Sequence, residues 1–167
     1  MDKTFLSNTL IAMAVVLLAG CTSNDPEKLI VGTWEGVSKV ELMDGSAFPT
    51  VIDYENQTIT YYETYYGIRH QTTKEFLCRS ILRLNEDGKL TNTTIDTKIG
   101  VVTEIIEGDY ELKENGQELS FFYPTESVDY KVEIQNLTKH KLVLVTTKYM
   151  PYADSYFIIN TTSTYKR

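Results

Sequence analysis

The chain has 167 residues, a formal net charge of −7 and 12 tyrosines. An acidic chain with no basic stripe is a poor candidate for binding nucleic acid or an anionic lipid surface. It has two cysteines, Cys21 and Cys78. Cys78 is the only one beyond the apolar N-terminal segment, so we expect the folded part to depend on its hydrophobic core rather than on a disulfide.

The N-terminal segment has the pattern of an export signal. Lys3 supplies a positive charge, residues 9–18 are almost continuously apolar, and the run ends in Leu18-Ala19-Gly20-Cys21. An apolar run of this length is too short for a membrane span, which needs roughly 20 residues. We therefore predict a signal peptide over residues 1–20, with a transmembrane anchor as the alternative.

Leu18-Ala19-Gly20-Cys21 resembles the lipobox of bacterial lipoproteins. The resemblance implies that Cys21 becomes the lipid-modified first residue of the mature chain, because its thiol is the nucleophile that takes the diacylglyceryl group. Two or three acyl chains hold a protein stably on a membrane, since each buried methylene contributes about 0.8 kcal/mol. The predicted location is the outer membrane, on its periplasmic or its cell-surface side.

Residues 21–28 are polar, contain Pro26 and show no periodicity, so we predict a tether between the lipid and the fold. Asp25 and Glu27 resemble the acidic tether that some Gram-negative lipoproteins use for surface export, but we favour a plain solvated linker. Residues 29–167 are then the folded domain, which is long enough for one core.

The domain reads as β-structure throughout. Segments rich in Val, Ile, Thr, Tyr and Phe alternate with turn residues, and no segment keeps a helical period. Residues 127–135 give the clearest alternation of apolar and polar positions, as expected of a strand with one solvated face. The predicted strands are residues 30–42, 57–66, 75–84, 90–96, 101–112, 119–123, 127–135, 142–147 and 156–165.

In the first strand, strict alternation places Trp34, Val40 and Leu42 on one face. It places Glu35, Lys39 and Glu41 on the other face. Trp34 is the only tryptophan, and with Gly32 it is well placed to plug one end of a closed sheet.

Short hairpins connect most of the predicted strands. Asp87-Gly88 and Asn115-Gly116 are strong hairpin signals between apolar runs. Sequential hairpins leave two sheet edges, and pairing the first strand with the last removes both. We therefore predict an all-β fold, an antiparallel up-and-down β-barrel of about eight to ten strands, with an open two-sheet sandwich as the alternative.

Gly32-Thr33-Trp34 resembles the Gly-x-Trp of lipocalins. Leu84-Asn85-Glu86-Asp87-Gly88, Gly108-Asp109-Tyr110-Glu111-Leu112 and Asn136-Leu137-Thr138 are similar to segments of the lipocalin-like domains of small bacterial lipoproteins. The resemblance implies a calyx-shaped, lipocalin-like barrel that sometimes holds a small apolar ligand. The chain departs from animal lipocalins because it lacks a predicted helix before the last strand and a disulfide pair.

No residue pattern indicates catalysis. No nucleophile, phosphate-loop or dinucleotide motif occurs. His70 and His140 have no second ligand at metal spacing, so we predict no metal site, no cofactor and no catalytic residue. Cys78 lies in an apolar strand and is predicted to be a buried thiol. Glu104 shares the parity of apolar positions, so either a β-bulge turns it outward, which we favour, or it lies within a pocket.

Two non-catalytic functions fit these features. The first is a lipid-anchored envelope protein whose barrel binds a small hydrophobic or amphipathic ligand. The second is an accessory subunit that binds another envelope protein through its tyrosines at residues 54–66. The tyrosines within this segment can line a ligand cavity or form an ordinary exposed cross-strand ladder, and we favour the ladder. The predicted ligand-binding residues are Trp34, Tyr62, Phe76, Leu82, Tyr110, Phe121, Tyr130 and Val132.

Overall fold

A computed structural model describes residues 25–113, 116–124, 130–152 and 155–167 of the chain. The predicted signal peptide and Cys21 lie outside these residues. Within them the chain forms one short helix followed by antiparallel strands. These elements are α1 (Pro26–Ile30), β1 (Gly32–Met43), β2 (Thr50–Asp53), β3 (Thr58–Tyr65), β4 (Ile68–Glu75), β5 (Cys78–Leu84), β6 (Lys89–Asp96), β7 (Val101–Leu112), β8 (Glu118–Phe122), β9 (Tyr130–Leu137), β10 (Lys141–Tyr152) and β11 (Ser155–Lys166).

Eight of these strands close into a barrel. β5 to β11 pair in sequence order, β5 pairs with the beginning of β1, and β11 pairs with β1 from Glu35 opposite Lys166 to Met43 opposite Ile159. Closure gives the edges of the first and last strands a partner. The predicted all-β, antiparallel up-and-down barrel is confirmed.

Strand β1 has two different neighbours on its other side. Its first residues, Gly32 to Glu35, pair with β5, whereas Ser38 to Glu41 pair with β2. Strands β2, β3 and β4 therefore leave the barrel wall as a three-stranded antiparallel extension. We call these three strands the extension.

The extension contains two strands that the sequence pattern did not predict. β2 has only four residues, and the residues of β4 are polar and mostly exposed. The β3–β4 turn uses Tyr66 and Gly67, which both have positive φ, of 50° and 78°. A tight hairpin turn of this type needs two such residues, and a tyrosine at the first of them is not a usual hairpin signal.

The described strands contain three β-bulges, in β1, β7 and β9, and those in β1 and β7 reverse the alternation beside the barrel interior. In β1, Gly36 lies opposite Tyr165 and Ser38 opposite Thr164, so Val37 is the extra residue. In β7, Glu104 lies opposite Thr94 and Val102 opposite Ile95, so Thr103 is the extra residue. Since side chains alternate with a period of two, one inserted residue exchanges the two faces of the strand beyond it.

The bulge in β1 corrects the predicted orientation of its second half. Lys39 and Glu41 lie opposite Ser163 and Thr161 and face the barrel interior, whereas Leu42 lies exposed outside. The prediction of a single alternation over residues 30–42 was wrong because it assumed a strand without an insertion. The first residue of that range, Ile30, lies in α1.

The hydrophobic core fills one end of the barrel, which we call the closed end. Trp34 is fully buried there, and its indole Nε1 donates a hydrogen bond to the Ile30 carbonyl at 2.8 Å. The bond and the burial of Ile30 hold α1 across this end. The side chains packed around them are Leu82, Leu84, Leu90, Leu119, Phe121, Val132, Leu142, Leu144 and Tyr165.

The C-terminal arginine completes the closed end. The Cζ of Arg167 lies 3.9 Å from the centre of the Trp34 ring, and its Nη2 donates a 2.6 Å hydrogen bond to the Leu29 carbonyl. A Cβ on Gly32, which has a φ of 139°, would lie 3.3 Å from the same guanidinium. Glycine at this position therefore leaves room for the arginine to cover the tryptophan.

Candidate functional site

A cavity of about 270 Å³ lies inside the barrel, between the core and the end opposite α1. We call it the barrel cavity. Leu82, Phe121 and Leu144, which belong to the core, line it together with polar side chains nearer the opposite end. The other lining residues are Lys39, Glu41, Asn92, Ile106, Tyr123, Thr146, Lys148, Thr161, Ser163 and Tyr165.

A second cavity of about 180 Å³ adjoins it at the junction of β1, β5 and the extension. We call it the side cavity. The two cavities share Lys39, Asn92, Ile106, Ser163 and Tyr165 in their linings, so they are neighbours in one interior. The residues that line only the side cavity are Ser38, Tyr54, Ser80, Thr94 and Glu104.

Lys39 and Glu41 form an ion pair inside the barrel, with 2.7 Å between Nζ and Oε1. The two side chains are 35% and 37% exposed, so water reaches the pair and its contribution to stability is below about 1 kcal/mol. The pair lies in the barrel because the bulge at Val37 turns these positions inward. The ion pair matters mainly for binding, because it gives the cavity wall a hydrogen-bond donor in Lys39 and an acceptor in Glu41.

Glu104 also faces the interior. β7 contains a bulge, but its extra residue is Thr103, so the bulge turns Val102 outward, while Glu104 keeps the inward alternation of Ile106 and lines the side cavity with its side chain still exposed to solvent. The Thr94 hydroxyl lies 3.5 Å from Glu104 Oε2 and donates to it weakly. The favoured expectation for this carboxylate was therefore wrong, and the pocket alternative describes its position.

Tyr54 closes the side cavity toward the extension. Its backbone N–H donates to the carbonyl of the bulged Val37 at 3.0 Å, which holds it beside β1. Burial, followed by the neighbouring Tyr165, raises the pKa of the Tyr54 phenol to about 12, with an opposing contribution from its hydrogen bond to Ser80. The phenol is therefore neutral at physiological pH and offers the cavity both a donor and an acceptor.

The close approach of Tyr54 depends on a glycine. A Cβ on Gly36 would lie 3.1 Å from Tyr54 Cδ2 and 3.0 Å from the Cβ of Ser80. Contacts this short require neighbouring atoms to move. Gly36 precedes the bulge, and an isolated glycine within a strand is a known signal of a bulge or of close packing.

The structure brings some of the predicted ligand-binding residues together. Leu82 and Phe121 line the barrel cavity. Trp34 and Val132 are fully buried in the core at the closed end and line neither interior cavity. Tyr110 also lies at the closed end, where its hydroxyl donates to the Asn85 carbonyl at 2.7 Å.

The remaining predicted residues are elsewhere. The ring of Phe76 lies 6.5 Å from that of Tyr54, outside the cavity linings. Tyr62 belongs to the extension, where its ring lies 4.8 Å from that of Phe48. Tyr130 lies opposite Phe121 in β9, and its side chain is outside the described part of the chain.

The polar lining residues were missed by sequence reasoning. Lys39, Glu41, Asn92, Thr161 and Ser163 have the composition of a solvated strand face, so a search for ligand contacts among aromatic and aliphatic residues passes over them. The usable signal was Gly36, because it marks the place where alternation in β1 stops.

A larger open groove of about 750 Å³ lies outside the barrel at the closed end. It runs between α1 and the β9–β10 turn, from Pro26 and Leu29 to Lys139 and His140. Its border includes Gly116 and Gln117, next to residues 114–115, which are not described. The barrel cavity is bounded by paired strands and is the better-defined candidate site.

Other chemical groups give no second candidate. His70 lies in β4, and within the described residues no three His, Cys, Asp or Glu side chains are grouped as metal ligands would be. Cys78 is half-buried, and desolvation raises the pKa of its thiol, which makes it less reactive. In the described part of the chain, no helix has the length and apolar composition needed to cross a bilayer.

Comparison with known proteins gives little beyond this geometry. No protein-family model matches the chain, and no curated protein matches it. Among solved structures, lobster apocrustacyanin A1 is similar, with a TM-score of 0.39 and 15% identity over 88% of this chain and 71% of that chain. The barrel is therefore established by the strand pairings of the chain itself.

Proposed function

We propose that this protein is a lipid-anchored envelope protein whose barrel binds a small amphipathic molecule. The observation that carries the proposal is the barrel cavity, which has Leu82, Phe121 and Leu144 at its inner end and an ion pair with several hydroxyls toward the other. Ligand sites are commonly apolar with a few fixed polar groups. Such a cavity suits a molecule with an apolar body and a polar end.

The size of the cavity limits the ligand. An apolar cavity of about 150 Å³ holds benzene, and pockets for drug-sized molecules span about 300–1,000 Å³. The barrel cavity, at about 270 Å³, fits a molecule of one or two rings or a short chain. A long fatty acid would need the side cavity as well or would extend into solvent.

The position of α1 supports a particular orientation on the membrane. The resemblance of Leu18-Ala19-Gly20-Cys21 to a lipobox supports lipidation of Cys21. Cys21 lies four positions before Asp25, the residue that caps α1, and four residue steps span at most about 14 Å. A lipid on Cys21 would therefore hold the closed end near the bilayer, with the cavity opening toward the aqueous phase.

The ligand proposal is tested by native mass spectrometry of protein purified from its own membrane. We expect a co-purifying small molecule, and we expect Ser163→Phe to remove it because residue 163 lines both cavities. Thr162→Phe is the matched control, since residue 162 lies opposite Val40 on the outer face of the same strand. Loss of the molecule in both variants, or its absence from the wild type, would contradict the proposal.

The anchor is tested separately by labelling cells with palmitate. Cys21→Ser is expected to abolish incorporation, because the acceptor thiol is absent. Cys78→Ser is the control, since it removes the only other cysteine and is expected to leave labelling unchanged. Undiminished labelling of Cys21→Ser would refute lipidation and leave the ligand proposal standing.

A second candidate function is an accessory subunit that binds another envelope protein through the extension. Tyr66 is fully exposed at the β3–β4 turn, and Tyr65 and Ile68 beside it are also exposed. Tyrosine is enriched in protein interfaces. A photo-reactive amino acid placed at position 66 is expected to cross-link one defined partner in intact cells. The same amino acid at position 111, on the barrel wall, is the control and is expected to cross-link no partner. Equal cross-linking at both positions would contradict it.

A further inference from the structure

The side cavity has a chemical bias toward cations. Glu104 and Lys39 are its charged lining residues. The Lys39 ammonium is bonded to Glu41 at 2.7 Å, whereas the only bonded partner of Glu104 in the described part of the chain is the Thr94 hydroxyl. The cavity therefore contains one carboxylate whose charge is not balanced by a bonded cation.

The groups around Glu104 suit a nitrogen cation. Tyr54 and Tyr165 line the same cavity, and aromatic side chains attract cations through their electron-rich faces. Asn92, Ser80 and Ser163 add neutral hydrogen-bond acceptors for the N–H groups of an ammonium. An anionic ligand would meet the same carboxylate at close range, where like charges repel.

The apolar part of such a ligand has a defined place. Ile106 lies on the same face of β7 as Glu104 and lines both cavities, and beyond it the barrel cavity presents Phe121 and Leu144. A ligand with its nitrogen at Glu104 can therefore extend its apolar body past Ile106 into the barrel cavity. Binding in this direction desolvates the apolar body and leaves the charged end with the carboxylate.

We infer that the ligand is a small organic ammonium, an apolar or aromatic body of one ring with a protonated amine, which binds with its nitrogen against Glu104. The inference rests on the proposed function, because it names the class of molecule for the same interior. Glu104 lies on the inner face of β7 because it keeps the alternation of Ile106, whereas the bulge at Thr103 reverses only the residues that precede it.

Three probes of nearly equal shape and different charge test the inference in calorimetric titrations of the full-length protein. They are phenethylamine, 2-phenylethanol and 3-phenylpropionate, at pH 7. We expect phenethylamine to bind at least tenfold more tightly than 3-phenylpropionate, with the alcohol between them. Equal or tighter binding of the alcohol or the acid would overturn the inference while leaving an interior binding site in place.

Glu104→Gln is expected to weaken the binding of phenethylamine about tenfold, which is the contribution of a charge-assisted hydrogen bond. The affinity for 2-phenylethanol is expected to stay unchanged. Glu107→Gln is the matched control, because it removes the same charge from the outer face of the same strand and is expected to change neither affinity. Equal losses in the two variants would mean that net charge alone acts, and would overturn the inference. Binding of none of the probes would also overturn the inference, whereas the proposed function is decided separately by whether a small molecule co-purifies with the protein.

Discussion

The two ends of the barrel differ in how their interiors are filled. At the closed end, Trp34 and its apolar neighbours are almost completely buried, and α1 and Arg167 cover them. Toward the other end, the same strands carry Lys39, Glu41, Asn92 and Glu104 inward and leave two cavities. One fold thus combines an end that stabilises with an end that can bind, and in β1 the change follows the bulge at Val37.

The sharpest test of this division is truncation at each end. Trp34→Ala is expected to lower the free energy of unfolding by about 3–5 kcal/mol, because it empties the best-packed site and removes the hydrogen bond to Ile30. Thr161→Ala, which only enlarges the barrel cavity, should cost below about 0.5 kcal/mol. Urea unfolding of both variants measures the difference, and similar losses would show that the two ends are equally packed.

The stability of the protein should fall at alkaline pH because of Tyr54, which lies where β1, β5 and the extension meet. The pKa of Tyr54 is raised from 10.0 to about 12, so the stability gained from its neutral form is fully present below pH 10 and is lost as the pH rises through 12. We expect a loss of up to about 2 kcal/mol over this range. Tyr54→Phe cannot ionise there and should lose less stability than the wild type between pH 9.5 and 11.5. Identical losses would mean that Tyr54 is not desolvated.

The contribution of Arg167, which covers Trp34 at the closed end, can be tested by substitution. Arg167→Gln removes the cation above the Trp34 ring and the donor to the Leu29 carbonyl, and should cost about 1–2 kcal/mol. Lys141→Gln is the control, since it removes one positive charge from the same end without contacting Trp34. Thermal unfolding followed by tryptophan emission is the measurement, and an unchanged melting temperature in Arg167→Gln would count against this role.

The smallest effect is expected from the ion pair in the cavity. A double-mutant cycle with Lys39→Met and Glu41→Gln should give a coupling energy of about 0.5 kcal/mol, because both groups remain partly hydrated. Lys113 and Glu111 are the comparison pair, joined at 2.6 Å on the outside of the barrel. A coupling energy above about 2 kcal/mol for Lys39 and Glu41 would show that the ion pair is less hydrated than its exposure in the structure indicates.

The amino-acid pattern was sufficient for the barrel and for its buried tryptophan. Turn signals such as Asp87-Gly88 separate short β-prone segments, and hydrophobic burial together with the need to pair both sheet edges leaves few ways to arrange them. The extension was only partly predicted. β4 is exposed and polar, so its strand is held by backbone pairing with β3 rather than by a hydrophobic face.

The interior of the binding end was decided by tertiary structure. Local alternation places Glu104 with Ile106 on the inner face, as observed, but it assigns Lys39 and Glu41 to the solvent face. It cannot detect inserted residues, each of which costs little and exchanges the faces of the strand beyond it. The register of β1 against β11 and of β7 against β6 places Val37 and Thr103 as those insertions. Short-range sequence determined that the sheet closes on Trp34, whereas long-range strand register determined which side chains line the cavity.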